Sequence, residues 1–136
     1  MTYTVDSSVW IAALLKGESA HRTSFAFMSG IVREDTNVVI PVTVYIEVVL
    51  AIARRTVNQR THEEAADFFL RIPSIQFVEI DYARMLSIVE FASPLRLRGM
   101  DATIAGVANE FDATLVTLDD ELARRTQSAI AVRQLS

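Results

Sequence analysis

The sequence predicts an α/β domain built on a mostly parallel central sheet with helices on both faces. Three observations predict it. Short β-prone runs alternate with longer helical segments along the whole chain, the pattern of a sheet covered on both sides. The 136 residues are 51% hydrophobic with only 4 Gly and 3 Pro, enough apolar surface for one compact core. No repeat, linker or low-complexity segment divides the chain, so a single domain over residues 1–136 is the simplest organisation.

The elements follow in order. Thr2–Val5 alternates and is β-prone, and it ends at Asp6. Ser7-Ser8 then opens an apolar helix, Val9–Leu15, that stops at Gly17. A second helix is expected over Ser19–Arg33, and Asn37–Ile40 is a short buried strand before Pro41. Thr43–Arg55 reads as a helix apolar nearly all round. Thr61–Leu70 reads as another, with Thr61 and Glu64 at capping-box spacing. Ile75–Ile80 is a strand, and Asp81–Ala92 a helix broken near Pro94. Met100–Phe111 is a helix preceded by Gly99, which would allow a sharp turn. Ala113–Leu118 is a strand, Asp119–Arg125 a short helix and Ile130–Val132 a final strand.

Composition excludes several chemistries. With no Cys, the chain has no disulfide scaffold, no thiolate metal site and no thiol nucleophile. No secretory signal is expected at Met1–Asp6, and no run approaches the ~18 apolar residues of a membrane span. A soluble, cytoplasmic protein is the expectation. A net charge of −4 argues on its face against nucleic acid. However, carboxylates gathered around a metal ion would reverse the local field. All but one of the 13 basic residues are Arg, the exception being Lys16, and Arg suits bidentate phosphate recognition.

In a parallel sheet, ligands bind beyond the carboxyl ends of the strands. Asp6 and Asp119 each follow a strand and would share that rim, provided the two strands are neighbours. Either acid is also an ordinary helix N-cap. Glu47 is harder to explain structurally. It is the only charged residue between Pro41 and Ala53, and an unpaired buried carboxylate is costly. It shares an i, i+4 stripe with Thr43 and Ala51 that would line a cleft. The structural alternative is an ion pair with Arg54 or Arg55. Asp101 opens the helix after Arg98-Gly99-Met100, where an acid also complements the helix dipole. Taken together, the four acids suit a hard divalent cation such as Mg²⁺ or Mn²⁺, which takes oxygen ligands. His21 and His62 sit in polar helical surroundings and read as surface residues.

These pieces, in this order, resemble the PIN-domain nucleases, and within them the VapC toxins of bacterial toxin–antitoxin pairs. The resemblance is carried by Val5-Asp6-Ser7-Ser8-Val9, by Pro41 to Glu47, by Leu97 to Ala102 with Ile104-Ala105 and Ala108, and by Leu115 to Asp119. It implies a PIN-like domain in which Asp6, Glu47, Asp101 and Asp119 form the acidic quartet that binds Mg²⁺ or Mn²⁺. Ser7 and Thr117 would add supporting hydrogen bonds, and Asp120 is an alternative ligand or a solvent-facing acid. Arg96 and Arg98 lie beside Asp101, within reach of a substrate phosphate or simply solvated. The implied activity is endoribonucleolytic hydrolysis of RNA to a 5′-phosphate and a 3′-hydroxyl, by the toxin of a type II pair. The implied partners are a small cognate antitoxin and a second copy in a homodimer.

Two enzymes with acids at strand ends fit less well. A haloacid-dehalogenase-type phosphatase needs a second Asp two residues after the first, where this chain has Ser8. A phosphoacceptor receiver needs a Lys near its last strand, and Lys16 lies near the N-terminus. From another class, a non-catalytic PIN-like module that binds RNA or protein without cutting is the alternative.

Overall fold

The computed structural model describes residues 1–34 and 36–136. Five strands form one sheet, parallel throughout, in the order β3-β2-β1-β4-β5. They are β1 (Thr2–Val5), β2 (Asn37–Pro41), β3 (Ile75–Val78), β4 (Thr114–Thr117) and β5 (Val132–Gln134). Seven α-helices accompany them among the described residues. They are α1 (Ser7–Leu14), α2 (His21–Arg33), α3 (Val42–Arg55), α4 (Gln59–Arg71), α5 (Tyr82–Ala92), α6 (Gly99–Glu110) and α7 (Asp120–Thr126).

The order of strands reverses direction at β1. The chain runs β1 to β2 to β3 outward on one side, then returns to place β4 against the other edge of β1. With right-handed crossovers this puts α1–α4 on one face and α5–α7 on the other. The packing agrees: α1 packs on α2 and α3, α3 on α4, and α5 on α6. The point of reversal, between β1 and β4, opens a crevice at the strands' carboxyl ends. Val5 pairs with Val116, and the Asp6 N–H donates to the Val116 carbonyl at 2.9 Å.

The core lies on both faces of the sheet. Val5, Ile40, Leu115 and Val116 are buried in the strands, as the apolar runs require. Trp10 is the largest fully buried side chain. Its indole stacks 4.3 Å from the Phe69 ring and donates to the Val5 carbonyl at 3.1 Å, so its one polar atom is satisfied. On the other face α6 approaches α5 at Gly106, where a Cβ would stand 2.8 Å from Ile88 Cγ1.

Some boundaries differ from the sequence expectation. The cap of α4 is Asn58, whose side chain accepts from the Arg60 N–H, so Thr61 lies inside the helix and caps nothing. The last strand is displaced to Val132–Gln134. Pro94 ends α5 through a 3-10 turn, Ser93–Leu95, as its missing N–H dictates. Gly99 adopts no left-handed conformation. Arg96 makes that turn instead, at φ 57°. The apolar residues of α1 are core: Val9, Trp10, Ala12 and Ala13 are buried, as are Val44, Val48, Ala51 and Ile52 of α3. On α3 the exposed apolar residues are Ile46 and Leu50. Among the described residues, no helix is long and apolar enough to cross a membrane.

Candidate active site

The crevice at the point of reversal is a cavity of about 670 Å³, and Asp6, Glu47, Asp101 and Asp119 all line it. They arrive from four places: the end of β1, the second turn of α3, the first turn of α6 and the end of β4. The Asp6–Asp119 neighbourhood depended on β1 pairing with β4, and the two strands do pair. Asp120 lies on the same wall, but its carboxylate is hydrogen-bonded by the Gln134 amide. Of the proposed stripe on α3 only Glu47 reaches the cavity, and Ala51 is buried.

Asp6 is held by hydroxyls and not as a cap. It occupies the N-cap position of α1, yet its side chain makes no cap hydrogen bond. Instead its Oδ2 accepts from Ser8 Oγ at 2.8 Å and from Thr117 Oγ1 at 3.0 Å. Each hydroxyl is used twice. Ser8 Oγ also accepts the Leu118 N–H at 3.2 Å, and Thr117 Oγ1 accepts the Asp119 N–H at 3.0 Å. The two hydroxyls therefore cross-brace the ends of β1 and β4. Ser7 makes a longer contact, donating to Glu47 Oε2 at 3.5 Å. Asp119 does serve as a cap: its Oδ1 accepts from the backbone N–H groups of Glu121 and Leu122. That leaves the capping and cavity-lining roles on one residue.

Ser8 is the residue that sequence reasoning missed. Its only signal was position, a hydroxyl two residues beyond a strand-end acid and the last polar side chain before an apolar helix.

Negative charge accumulates here. Burial pushes the Asp6 carboxyl above its ordinary value of 3.8, against the hydrogen bonds of Ser8 and Thr117, and the nearby Asp119 charge adds to the rise. Burial likewise raises Glu47, helped by the charges of Asp6 and Asp101. Burial raises Asp101, helped by Asp6 and Asp119 and opposed by Arg98. Among the described residues, no salt bridge reaches any of the four. The expected alternative for Glu47, a pair with Arg55, is not formed, because Arg55 pairs with Glu18 across the cavity rim.

As they stand, no three acidic or imidazole groups among the described residues are close enough to grip one ion. Asp6 is tied to its hydroxyls and Asp119 to its helix. The donor set fits a hard divalent cation nevertheless. It is all oxygen, partly desolvated, free of salt bridges among the described residues and gathered on one polar cavity. A second concavity between α1, α2 and α4 is walled by Trp10, Phe25, Met28, Phe68 and Ile72 and contains none of these acids.

Comparisons with known proteins agree with this fold. A family model described as the PIN domain matches residues 3–127. The fold is shared with VapC20 of Mycobacterium tuberculosis, a toxin that cleaves the sarcin-ricin loop. The TM-score is 0.76 at 17% identity, over 99% of this chain and 100% of that one. It is also shared with VapBC2 of Rickettsia felis, bound to a DNA fragment from its promoter. There the TM-score is 0.75 at 16% identity, over 100% of both chains. A toxin–antitoxin complex from Klebsiella pneumoniae gives 0.66 at 13% identity, over 97% of this chain and 96% of that one. At such identities the likeness establishes the fold. No curated protein matches the sequence.

Proposed function

This chain belongs to the PIN-domain family, and from that premise we propose that it is the toxin of a type II toxin–antitoxin pair, an endoribonuclease dependent on Mg²⁺ or Mn²⁺. The observation that carries the reading is the convergence of Asp6, Glu47, Asp101 and Asp119 on one polar cavity whose lining arginine, Arg55, is paired with Glu18. Three buried or half-buried carboxylates and an exposed fourth on one cavity are a poor structural device and a good cation site.

In this reading Asp6, Asp101 and Asp119 would hold the metal, and Glu47 would complete the site. When bound, the metal supplies Lewis acidity, activating water near neutral pH and offsetting charge on a scissile phosphate. Asp6 is kept in place by Ser8 and Thr117, which hold Oδ2 from two directions. Glu47, half-buried opposite the sheet rim, accepts and orients a water or its proton on the open side of the cavity. No covalent nucleophile is invoked. Attack by water in line with the leaving oxygen leaves a 5′-phosphate and a 3′-hydroxyl.

The partner proposed is a small cognate antitoxin that holds the enzyme inactive. Relatives of the same fold are described as toxin–antitoxin complexes, which supports it. A homodimer and a cytoplasmic setting are proposed on the same family ground.

The experiment is cleavage of structured RNA by the purified chain with Mg²⁺, with Mn²⁺ and with EDTA, alongside Asp101→Asn. Cleavage is expected with metal and in the parent protein only. A folded Asp101→Asn protein that cleaves as fast as the parent would overturn the site assignment. Tight Mn²⁺ binding with no cleavage of any RNA would favour a binding module instead.

A further inference from the structure

Beside the acidic cavity lies a smaller one, about 170 Å³, between the segment that leads into α6 and the helix α7. Three of its seven lining residues are arginines: Arg96, Arg98 and Arg125. Asp101 lines both cavities, so the two share a wall.

We infer that Arg96, Arg98 and Arg125 form a subsite for a backbone phosphate of single-stranded RNA, next to the phosphate that faces the carboxylates. The inference rests on the ribonuclease reading above and adds where the rest of the strand runs.

Several observations carry it. Arg125 is fixed as a fork: its Nε donates to Glu121 Oε1 at 2.9 Å and its Nη1 to the Arg96 carbonyl at 3.4 Å. It still leaves 32% of its side chain exposed. Glu121 is thereby committed to Arg125. Among the described residues, neither Arg96 nor Arg98 makes a salt bridge. Two guanidinium groups are thus available in one small cavity of a chain whose net charge is −4. Arg96 sits at φ 57°, a left-handed conformation that favours Gly and disfavours a long side chain. The strain lies in the loop that delivers both arginines to the edge of the acidic cavity. No aromatic side chain lines the subsite, so it offers no platform for a base. Its chemistry is that of the fork on a phosphate, a contact that positions a strand without reading its sequence.

The test is binding of a fluorescein-labelled single-stranded RNA, followed by anisotropy in EDTA across a salt series. The proteins are the parent, Arg96→Gln, Arg98→Gln and the double variant. Arg71→Gln, at the exposed end of α4, makes the same change of net charge as either single variant, elsewhere. The double variant is expected to bind about tenfold more weakly at low salt. Its slope of log Kd against log salt should fall by about 0.7 for each arginine lost. The loss should be the same for RNAs of different sequence, and Arg71→Gln should stay close to the parent. If the Arg96 and Arg98 variants match Arg71→Gln, or if the parent binds no RNA, the subsite is overturned. Cleavage measured in parallel separates this from the parent reading. RNA cut with unchanged KM by the double variant removes the subsite and leaves the nuclease. Arginine-dependent binding without cleavage under any metal removes the nuclease and leaves the subsite.

Discussion

Thr117 Oγ1 donates to Asp6 Oδ2 at 3.0 Å across the seam between β4 and β1, from a position with no solvent exposure. The same oxygen accepts the Asp119 N–H, so one hydroxyl ties the Asp6 carboxylate to the Asp119 backbone, far away in the chain. Thr117→Val keeps the shape and removes both bonds. It leaves the Asp119 N–H unpaired and Asp6 with one donor fewer. A loss of about 1–3 kcal/mol is expected, read as a lower midpoint in urea at unchanged slope. Thr117→Ser should recover most of it, together with Mn²⁺ affinity measured by calorimetry.

Ser8→Ala should behave as a milder version of the same change. Its hydroxyl serves Asp6 and the Leu118 N–H. The discriminating measurement is Mn²⁺ affinity in the folded variant, which should fall while Ser7→Ala, whose contact to Glu47 is longer, changes it less.

The acids make the metal-free fold pH-dependent, and the sign follows from their direction. Asp6, Glu47 and Asp101 are all raised in the folded state, chiefly by burial. Between the unfolded values and the raised ones the folded chain binds more protons than the unfolded chain. Stability then falls as pH rises through that window and levels off above it. In EDTA, urea midpoints should decline from the ordinary carboxylate range towards neutrality. Asp101→Asn should flatten the decline and raise the midpoint at pH 7. A metal-free protein that gains stability over the same range would contradict the arrangement of charges.

A divalent cation should reverse that cost. Mn²⁺ at one hundred times its Kd would add about 2.7 kcal/mol by mass action, a rise of several degrees in Tm. Asp6→Asn and Asp119→Asn should abolish the rise without unfolding the chain at 25 °C.

Gly106 offers a structural test at a distance from the charges. A valine there would place its Cβ on Ile88, and α6 carries Asp101 at its other end. Gly106→Val should cost about 2 kcal/mol, and Ile88→Ala in the same chain should recover part of it.

Much of this was legible in the chain. Strand and helix periods placed most elements within a few residues, because buried parallel strands must be apolar and short. The lone charge at Glu47 stood out for the same reason. What sequence spacing does not contain is which strands are neighbours. Asp6 and Asp119 meet only because β4 returns to the free edge of β1, a decision made by the whole sheet. Hydroxyl partnerships such as Ser8 with Asp6 depend on that return and were invisible for the same reason. The cap of α4 was misplaced because Thr61 and Asn58 both have capping chemistry and only the backbone path chooses between them. The turn assigned to Gly99 fell to Arg96, since Pro94 bends the chain earlier than the glycine.

The central place of β1 also sets a clock on synthesis. β1 is flanked on one side by β2 and must wait for residues 114–117 before its other edge is covered. Until then a nascent chain exposes an unpaired strand edge, a liability for aggregation. It also lacks Asp119 altogether. A polypeptide stalled before that point carries an incomplete set of the carboxylates that line the cavity.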